Sequence, residues 1–448
     1  MERESVSSVQ NQIFSAASGC AERMTMAQSK KILFLCDESD VDVVERSFAD
    51  NEAYTPIVET TEKVLRFGVK DYLRQTIQTI NHNPEMYDGI VGTHDSSAVF
   101  AAFLAEETGK TFASVQSIIN CQNKYISRRI QKKLVSEHTP NFCLALDYLR
   151  DPGQLKTPFF IKPVRANISF GTHRIEGPEQ LEYFIGLESQ DIAFFNTYYL
   201  EALSISSKNH NALNLATCNS FLCENLISGD QVTVDGYIFQ GSIHLFGFTK
   251  AVYHPKTNTF SHHIFPFALS SELESRIRSA LGVLIPGLGL DNSFFNVELR
   301  VEESANRFSI IEVNSRIAFQ FAKTIQTVTG IDPLHMLCDV AVGKEPSLSP
   351  VAAHRPSKFC YNFELHSFTD AWVLHTPTQS AYEEIKLKYP EVTVRNLIQE
   401  NTLLSEFKHN PESYRYCVLD IPGDSEEEIM SAYQEVTSIL NYAFENQE

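Results

Sequence analysis

Two neighbouring stretches hold the residues whose types and spacing could do chemistry. In Phe294-Phe-Asn-Val-Glu-Leu-Arg-Val301 the side chains alternate, so Phe295, Val297, Leu299 and Val301 face one way and Asn296, Glu298 and Arg300 the other. Phe308-Ser-Ile-Ile-Glu-Val-Asn314 follows, and period two puts Glu312 and Asn314 on a common face. The polar connection from Glu302 to Arg307 predicts a hairpin with Glu298 roughly opposite Glu312. Two carboxylates and an amide oxygen converging there make a hard oxygen site. Mg²⁺ uses one or two protein carboxylates of this kind and completes its octahedron with water and phosphate oxygens. Without a cation, the carboxylates would repel each other across the ladder. By spacing alone the pattern also fits a solvated polar face with incidental acids. Arg316, two residues beyond Asn314, adds a planar guanidinium suited to phosphate or carboxylate.

The elements that must position these groups follow from length and pattern. A chain of 448 residues suits two or three lobes, and 43% apolar with 21% charged residues is ordinary globular composition. Residues 1–28 are polar and lack periodicity, which predicts a flexible tail without a signal peptide. Lys31-Ile-Leu-Phe-Leu-Cys36 reads as a buried strand running into the cap Asp37-Glu-Ser-Asp40. Tyr87-Asp-Gly-Ile-Val-Gly92 repeats that plan, followed by Thr93-His-Asp-Ser-Ser97 and a helix over Ala98–Glu107. Such alternation predicts a parallel α/β domain over 29–118, with the Thr93–Ser97 loop at a strand's carboxyl end walling a substrate pocket. A basic helix over Lys124–Leu134 opens a middle region, 119–335. There strand-like runs recur at 159–163, 220–226, 231–239, 243–249, 294–301 and 308–313, close enough for antiparallel pairing. The last segment, 336–448, carries mixed strands and a helix to about Asn441 capped by Asp424 or Ser425. The fold class is therefore α/β, or α+β overall.

Composition also excludes partners. With 37 basic and 56 acidic residues the net charge is −19, which repels nucleic acid and anionic membranes at long range. No run of eighteen apolar residues occurs, so no spanning helix is expected. Nine cysteines, without a CxxC spacing, read as reduced core thiols in a cytoplasmic protein, with a catalytic cysteine as the minor reading.

Further candidates lie upstream. Lys124 on the basic helix and Lys162 on the strand Phe160-Ile-Lys-Pro163 could neutralise phosphate from two sides, although either alone reads better as a solvated surface cation. Phe221-Leu-Cys-Glu-Asn-Leu-Ile-Ser-Gly229 would offer an apolar slot for a flat base, with backbone groups supplying hydrogen bonds.

In order and spacing these segments resemble the ATP-grasp superfamily. Glu298 with Ile311-Glu-Val-Asn-Ser-Arg316 is similar to its metal signature, and Asn123-Lys124 with Arg128 to the helix that opens its nucleotide region. Phe160–Pro163 is similar to its phosphate-binding lysine strand, Ile168-Ser-Phe-Gly171 to its phosphate-covering loop, and Phe221–Gly229 to its hinge. The resemblance implies an N-terminal Rossmann-like domain, a two-lobed nucleotide-binding region and a C-terminal mixed segment. It implies ATP with Mg²⁺, or Mn²⁺ in its place, held by Glu298, Glu312 and Asn314. Lys124, Lys162, Ser169, Gly171, Glu224, Leu226 and Gln231 would then contact the nucleotide. Within the superfamily the segment Thr259-Phe-Ser-His-His-Ile-Phe-Pro266 is similar to that of carboxylate-amine ligases such as bacterial L-amino acid ligases. That likeness implies an amide- or peptide-forming enzyme acting through an acyl phosphate on small carboxylate and amine substrates. Arg316 and His263 would stabilise its oxyanion, His262 competes with His263 for that role, and a homo-oligomer is compatible. Four departures stand out: Gln231 where a ribose-binding Glu is usual, Ser315 for Pro, Ile317-Ala-Phe-Gln320 for small residues, and a single glycine in 165–171. They keep open a nucleotide-binding regulatory protein that has lost chemistry.

Overall fold

The computed structural model describes residues 29–166, 170–206, 212–350, 357–407 and 413–446, together with the backbone but not the side chain of Phe195. The predicted tail 1–28 and Ser169 lie outside the described residues. The apolar runs become strands close to where the sequence places them. β1 (Lys30–Cys36), β2 (Tyr54–Thr60) and β3 (Gly89–Gly92) form a parallel sheet of order β2–β1–β3. Strands covered on both faces read as unbroken apolar runs, and Ile32 through Cys36 are fully buried. The helix Asp95–Thr108 leaves the carboxyl end of β3 and is apolar nearly all round, so it sits inside the molecule. Its sharp entry requires a glycine, because a Cβ on Gly92 would stand 2.4 Å from the Ser97 carbonyl oxygen.

A small antiparallel sheet of order β4–β7–β5–β6 follows, built from β4 (Phe142–Leu144), β5 (Phe159–Pro163), β6 (His173–Ile175) and β7 (Phe221–Asn225). The largest sheet begins with β8 (Asp230–Phe239) and β9 (Ser242–Tyr253), joined by Gln240-Gly241 at φ 48° and 79°, the left-handed pair a tight hairpin demands. β10 (Phe260–Phe265), β11 (Ser293–Glu302), β12 (Arg307–Asn314) and β13 (Phe359–Ser367) extend it. β14 (Ala371–His375) turns aside, and β15 (Thr393–Asn396) and β16 (Tyr414–Gly423) return to the sheet. β17 (Ala443–Asn446) pairs with β14. The eight strands run in the order β12–β11–β8–β9–β10–β13–β16–β15. One sheet therefore continues past residue 336, from the predicted middle region into the C-terminal segment.

Period two divides the faces of this sheet. Val232, Val234, Val297, Leu299, Val301 and Ile310 point into the main core, against the helices Asp95–Thr108, Val115–Gln122 and Ser271–Gly287. The opposite face carries polar side chains, among them Thr233, Asp235, Asn296 and Glu298. A second core lies between β13 and β16 and the helix Glu426–Leu440, whose N-terminus is capped by Ser425 Oγ accepting from Glu428 N at 3.2 Å. All eight described cysteines are free and buried. No helix among the described residues is long and apolar enough to cross a membrane.

Candidate active site

The polar face of β11 and β12 assembles what the alternation predicts. Glu298 stands directly opposite Glu312, and Asn296 opposite Asn314. A strict count back from the Glu302–Arg307 pair would set Glu298 against Ile311. The register shifts between Glu298 and Leu299, so that Leu299 pairs with Ile310 and Ile311 is the extra residue. This bulge turns the Ile311 carbonyl toward Arg128, whose Nη2 donates to it at 2.7 Å. Burial first, and the facing Glu312 carboxylate second, push the Glu298 carboxyl well above the usual carboxylate range. The Asn314 amide nitrogen donates to Asn296 Oδ1 at 3.2 Å and toward Glu298 Oε1 at 3.5 Å, leaving its oxygen outside those bonds.

Among the described residues no three His, Cys, Asp or Glu side chains converge as a protein-only metal cage. The ladder offers two carboxylates and an amide, the number Mg²⁺ uses when phosphate oxygens complete its shell. A half-buried pair of facing carboxylates with too little compensation is what a cation would relieve, so the donor set fits.

Cations surround the ladder. Lys124 is the first residue of the helix Lys124–Leu134, whose N-cap Asn123 accepts from Ile126 N at 3.0 Å. Its Nζ lies 3.6 Å from Glu312 Oε2 and donates to Ala166 O at 2.8 Å, tying β12 to the segment before the predicted phosphate loop. Lys162 on β5 pairs with Glu224 on β7 at 2.5 Å, and Arg128 Nε meets the other Glu224 oxygen at 2.9 Å. Arg128 and Lys162 hold the Glu224 carboxyl at about 2 against the cost of burial. Lys162 is itself pushed down, because burial outweighs what Glu224 returns. Glu224 thus neutralises two buried cations, a role the sequence did not foresee for it. Leu226 lies half-buried in the link between the small and large sheets. Gly171 is left-handed (φ 63°) beside Pro163, where a Cβ would crowd the Pro163 ring at 2.9 Å.

Gln231 occupies the position of the expected ribose-binding acid, and both ends of its amide are engaged. Nε2 donates to Glu298 Oε2 at 3.0 Å and Oε1 accepts from the Tyr253 hydroxyl. An amide here avoids placing a third carboxylate beside the ladder. Arg316 reaches across to the N-terminal domain and lies 3.3 Å from Asp95 Oδ2. Burial opposes ionisation of Asp95, yet the Arg316 guanidinium holds its carboxyl below the ordinary range. The Thr93–Ser97 loop thereby joins the β11–β12 ladder.

β10 separates the two histidines. His263 lies opposite Ala251, two residues along from Thr249, which belongs to the polar face through Thr233 and Glu298. His262 points the other way and stacks on Tyr361 at 5.5 Å and 10°. His263 is 3% exposed and lies beside Phe321, and its Nδ1 stands 3.5 Å from Glu364 Oε1 without a hydrogen bond. Burial pushes its pKa down to about 4, so it is neutral at neutral pH.

Sequence reasoning missed Asp235, which pairs with Asn296 across β8 and β11. Its signal was available in the alternation of Gln231, Thr233 and Asp235 on an otherwise apolar strand. It also missed Arg165, whose guanidinium stacks on Tyr199 (4.0 Å to the centroid) and donates to Asn196, Gln122 and the Tyr198 hydroxyl. No local pattern announces that residue, because its partners come from distant segments.

Residues 155–327 match the family model described as ATP-grasp domain. The chain carries an ATP-grasp domain. The ATP-grasp fold extends over nearly the whole molecule. The chain is similar to the crystal structure of L-amino acid ligase from Bacillus licheniformis, with 18% identity and a TM-score of 0.69 over 94% of this chain and 100% of that one. It is also similar to phosphoribosylglycinamide synthetase from Anaerococcus prevotii, with 13% identity, a TM-score of 0.61 and coverage of 93% and 99%. A biotin carboxylase complex with β,γ-ATP from Campylobacter jejuni matches with 12% identity and a TM-score of 0.62, covering 93% and 92%. No curated protein sequence matches the chain.

Proposed function

We propose that this ATP-grasp chain is an ATP-dependent carboxylate-amine ligase that joins an amino acid to an amine through an acyl phosphate, releasing ADP and phosphate. One observation carries the reading. The facing carboxylates Glu298 and Glu312 share a ladder with Asn314, and the cations Lys124 and Arg316 stand at its edges. That arrangement suits charge neutralisation at a transferring phosphoryl group.

Glu298, Glu312 and Asn314 would hold Mg²⁺, which supplies charge neutralisation for the phosphoryl oxygens. Lys162, now paired with Glu224, and Lys124, now near Glu312, would orient the ATP phosphates from two sides. The turn ending at Gly171, with Ser169, would cover them, and the β7–β8 link at Leu226 would seat adenine. Gln231 would reach ribose by exchanging its present partners. Arg316 would align the substrate carboxylate for attack on the γ-phosphorus; the new bond is carboxyl oxygen to phosphorus, and ADP departs with the electrons of the broken bond. The amine nitrogen then attacks the acyl carbon, phosphate leaves, and the ammonium proton passes to solvent. His263, neutral and beside Glu364, would support the tetrahedral oxyanion as a hydrogen-bond donor. The similarity to an L-amino acid ligase supports an amino acid substrate and a dipeptide-like product. An acidic chain without a membrane-spanning helix among its described residues suits the cytoplasm.

The test is ADP release with Mg²⁺-ATP and a panel of amino acids and carboxylates, in pairs with amines. Substrate-stimulated turnover is expected, and Glu312→Ala should lower it by 10²-fold or more, on the order of other losses of transition-state charge stabilisation. ATP binding with no turnover across the panel would instead favour a nucleotide-binding regulatory protein.

A further inference from the structure

Beyond the Glu298–Glu312 ladder, the same sheet face buries polar atoms that nothing among the described residues satisfies. Asp235 is 4% exposed; its Oδ1 accepts from Asn296 Nδ2 at 3.0 Å, while the buried Oδ2 has no hydrogen-bond partner. Thr233 and Thr249, 6% and 1% exposed, face each other across β8 and β9, and both hydroxyls are buried without a partner. Buried polar groups in folded proteins are nearly always paired, so three on neighbouring ladder positions call for a ligand. The backbone is shaped around them. The β8–β9 register shifts just after Asp235, a bulge of the kind that re-aims a side chain next to a site. Opposite Asp235 stands Gly247, where a Cβ would lie 2.8 Å from the Phe265 ring, so an apolar wall replaces a side chain there. On the other side lies Arg316, close enough to act on the Asp235 carboxyl, with its Nε buried and unpartnered.

We propose that Asp235, with the hydroxyls of Thr233 and Thr249, receives the α-ammonium of the amino acid whose carboxylate is activated, so that this subsite selects an α-amino acid over a plain carboxylic acid. The proposal deepens the ligase reading and rests on it. The chemistry argues against other occupants. An anion would meet the Asp235 carboxylate. A second divalent cation would find one carboxylate oxygen, an Asn296 amide that presents its nitrogen, and the like charge of Arg316. An ammonium brings one positive charge and three donors to a carboxylate oxygen and two hydroxyl oxygens. An α-amino acid carries its ammonium and carboxylate on one carbon, so one small ligand can address both Asp235 and Arg316.

Hydroxylamine isolates the acid subsite, because it serves as the amine for any activated acid. ADP release and hydroxamate formation are measured with amino acids, each compared with the analogue lacking the α-amino group. The wild-type protein should prefer the amino acid by on the order of 10²-fold or more in kcat/KM, since a site built to pair a polar group rejects a ligand without it. Asp235→Asn should reduce that ratio at least ~10-fold with ATP affinity retained, and Thr249→Val should reduce it less. Wild-type turnover of both acid classes at similar rates would overturn the subsite and leave the ligase reading standing. An unchanged ratio in a folded Asp235→Asn variant would also overturn it. Failure of the wild-type protein to activate any acid would overturn both.

Discussion

At the scale of single residues, the site stores charge that the protein alone does not neutralise. Glu298 faces Glu312, and burial pushes the Asp235 carboxyl up to about 7 even though Asn296 and Arg316 partly offset it. A carboxyl raised in the folded state contributes stability that is full below its unfolded value, near 3.8, and is lost as pH rises through about 7. Asp235→Asn should therefore stabilise the ligand-free protein at pH 8, by up to about 4 kcal/mol, and have little effect at pH 4. Thermal melts at the two pH values check this, and equal shifts at both would show that Asp235 is not strained by burial. A functional residue that costs stability is a common sign of a binding site.

At the scale of elements, Arg128 fastens three pieces of backbone together. It is 1% exposed on the helix Lys124–Leu134, and it binds Glu224 on β7, the bulged Ile311 carbonyl on β12, and Gln131 one turn along its own helix. Removing Arg128 takes from buried Glu224 one of its two counter-charges and leaves the Ile311 carbonyl and Gln131 without their donor. Arg128→Met should cost about 3–5 kcal/mol by urea unfolding, and should weaken ATP affinity because Lys162 would then hold Glu224 alone. A loss below about 1 kcal/mol would show that the network adds nothing beyond packing. The strands themselves were legible in the sequence, as was Glu298 near Glu312, because period two exposes which side chains share a face. The bulge that makes the pairing exact was not legible. It depends on Arg128, 183 positions away from Ile311, capturing a carbonyl.

At the scale of the whole molecule, the C-terminal segment is part of the architecture around the site. β13 pairs with β10, so Glu364 reaches His263, and Asn362 and Thr393 both donate to Asp420 together with Thr324 from the helix that follows Arg316. Arg395 on β15 crosses to the first domain and meets buried Asp40 at 2.8 Å, and Asp40 in turn accepts from His94. Burial opposes protonation of His94, but Asp40 and Asp37 raise its pKa above the usual value. Arg395→Ala should destabilise the protein by about 2 kcal/mol, because Asp40 would keep only the histidine as counter-charge. A double-mutant cycle with Asp40→Asn should recover most of that loss, and additive losses would show that the two residues do not couple.

The sequence by itself determined the pieces: the apolar runs that must be strands, the polar alternation that puts Glu298, Glu312 and Asn314 on one face, the helix caps, and a motif order that resembles ATP-grasp proteins. Those features are local, and local patterns survive in one dimension. Tertiary structure decided the rest. It turned His263 toward the polar face and His262 into the C-terminal core. It spent Glu224 on two buried cations, gave Gln231 to Glu298, joined Arg316 to Asp95, and left Asp235 Oδ2 without a partner among the described residues. Each of these depends on which distant groups share a low-dielectric interior, where an unpaired charge is costly and a paired one is held fast. That pairing is set by how sheets and helices stack, and spacing along the chain does not encode it.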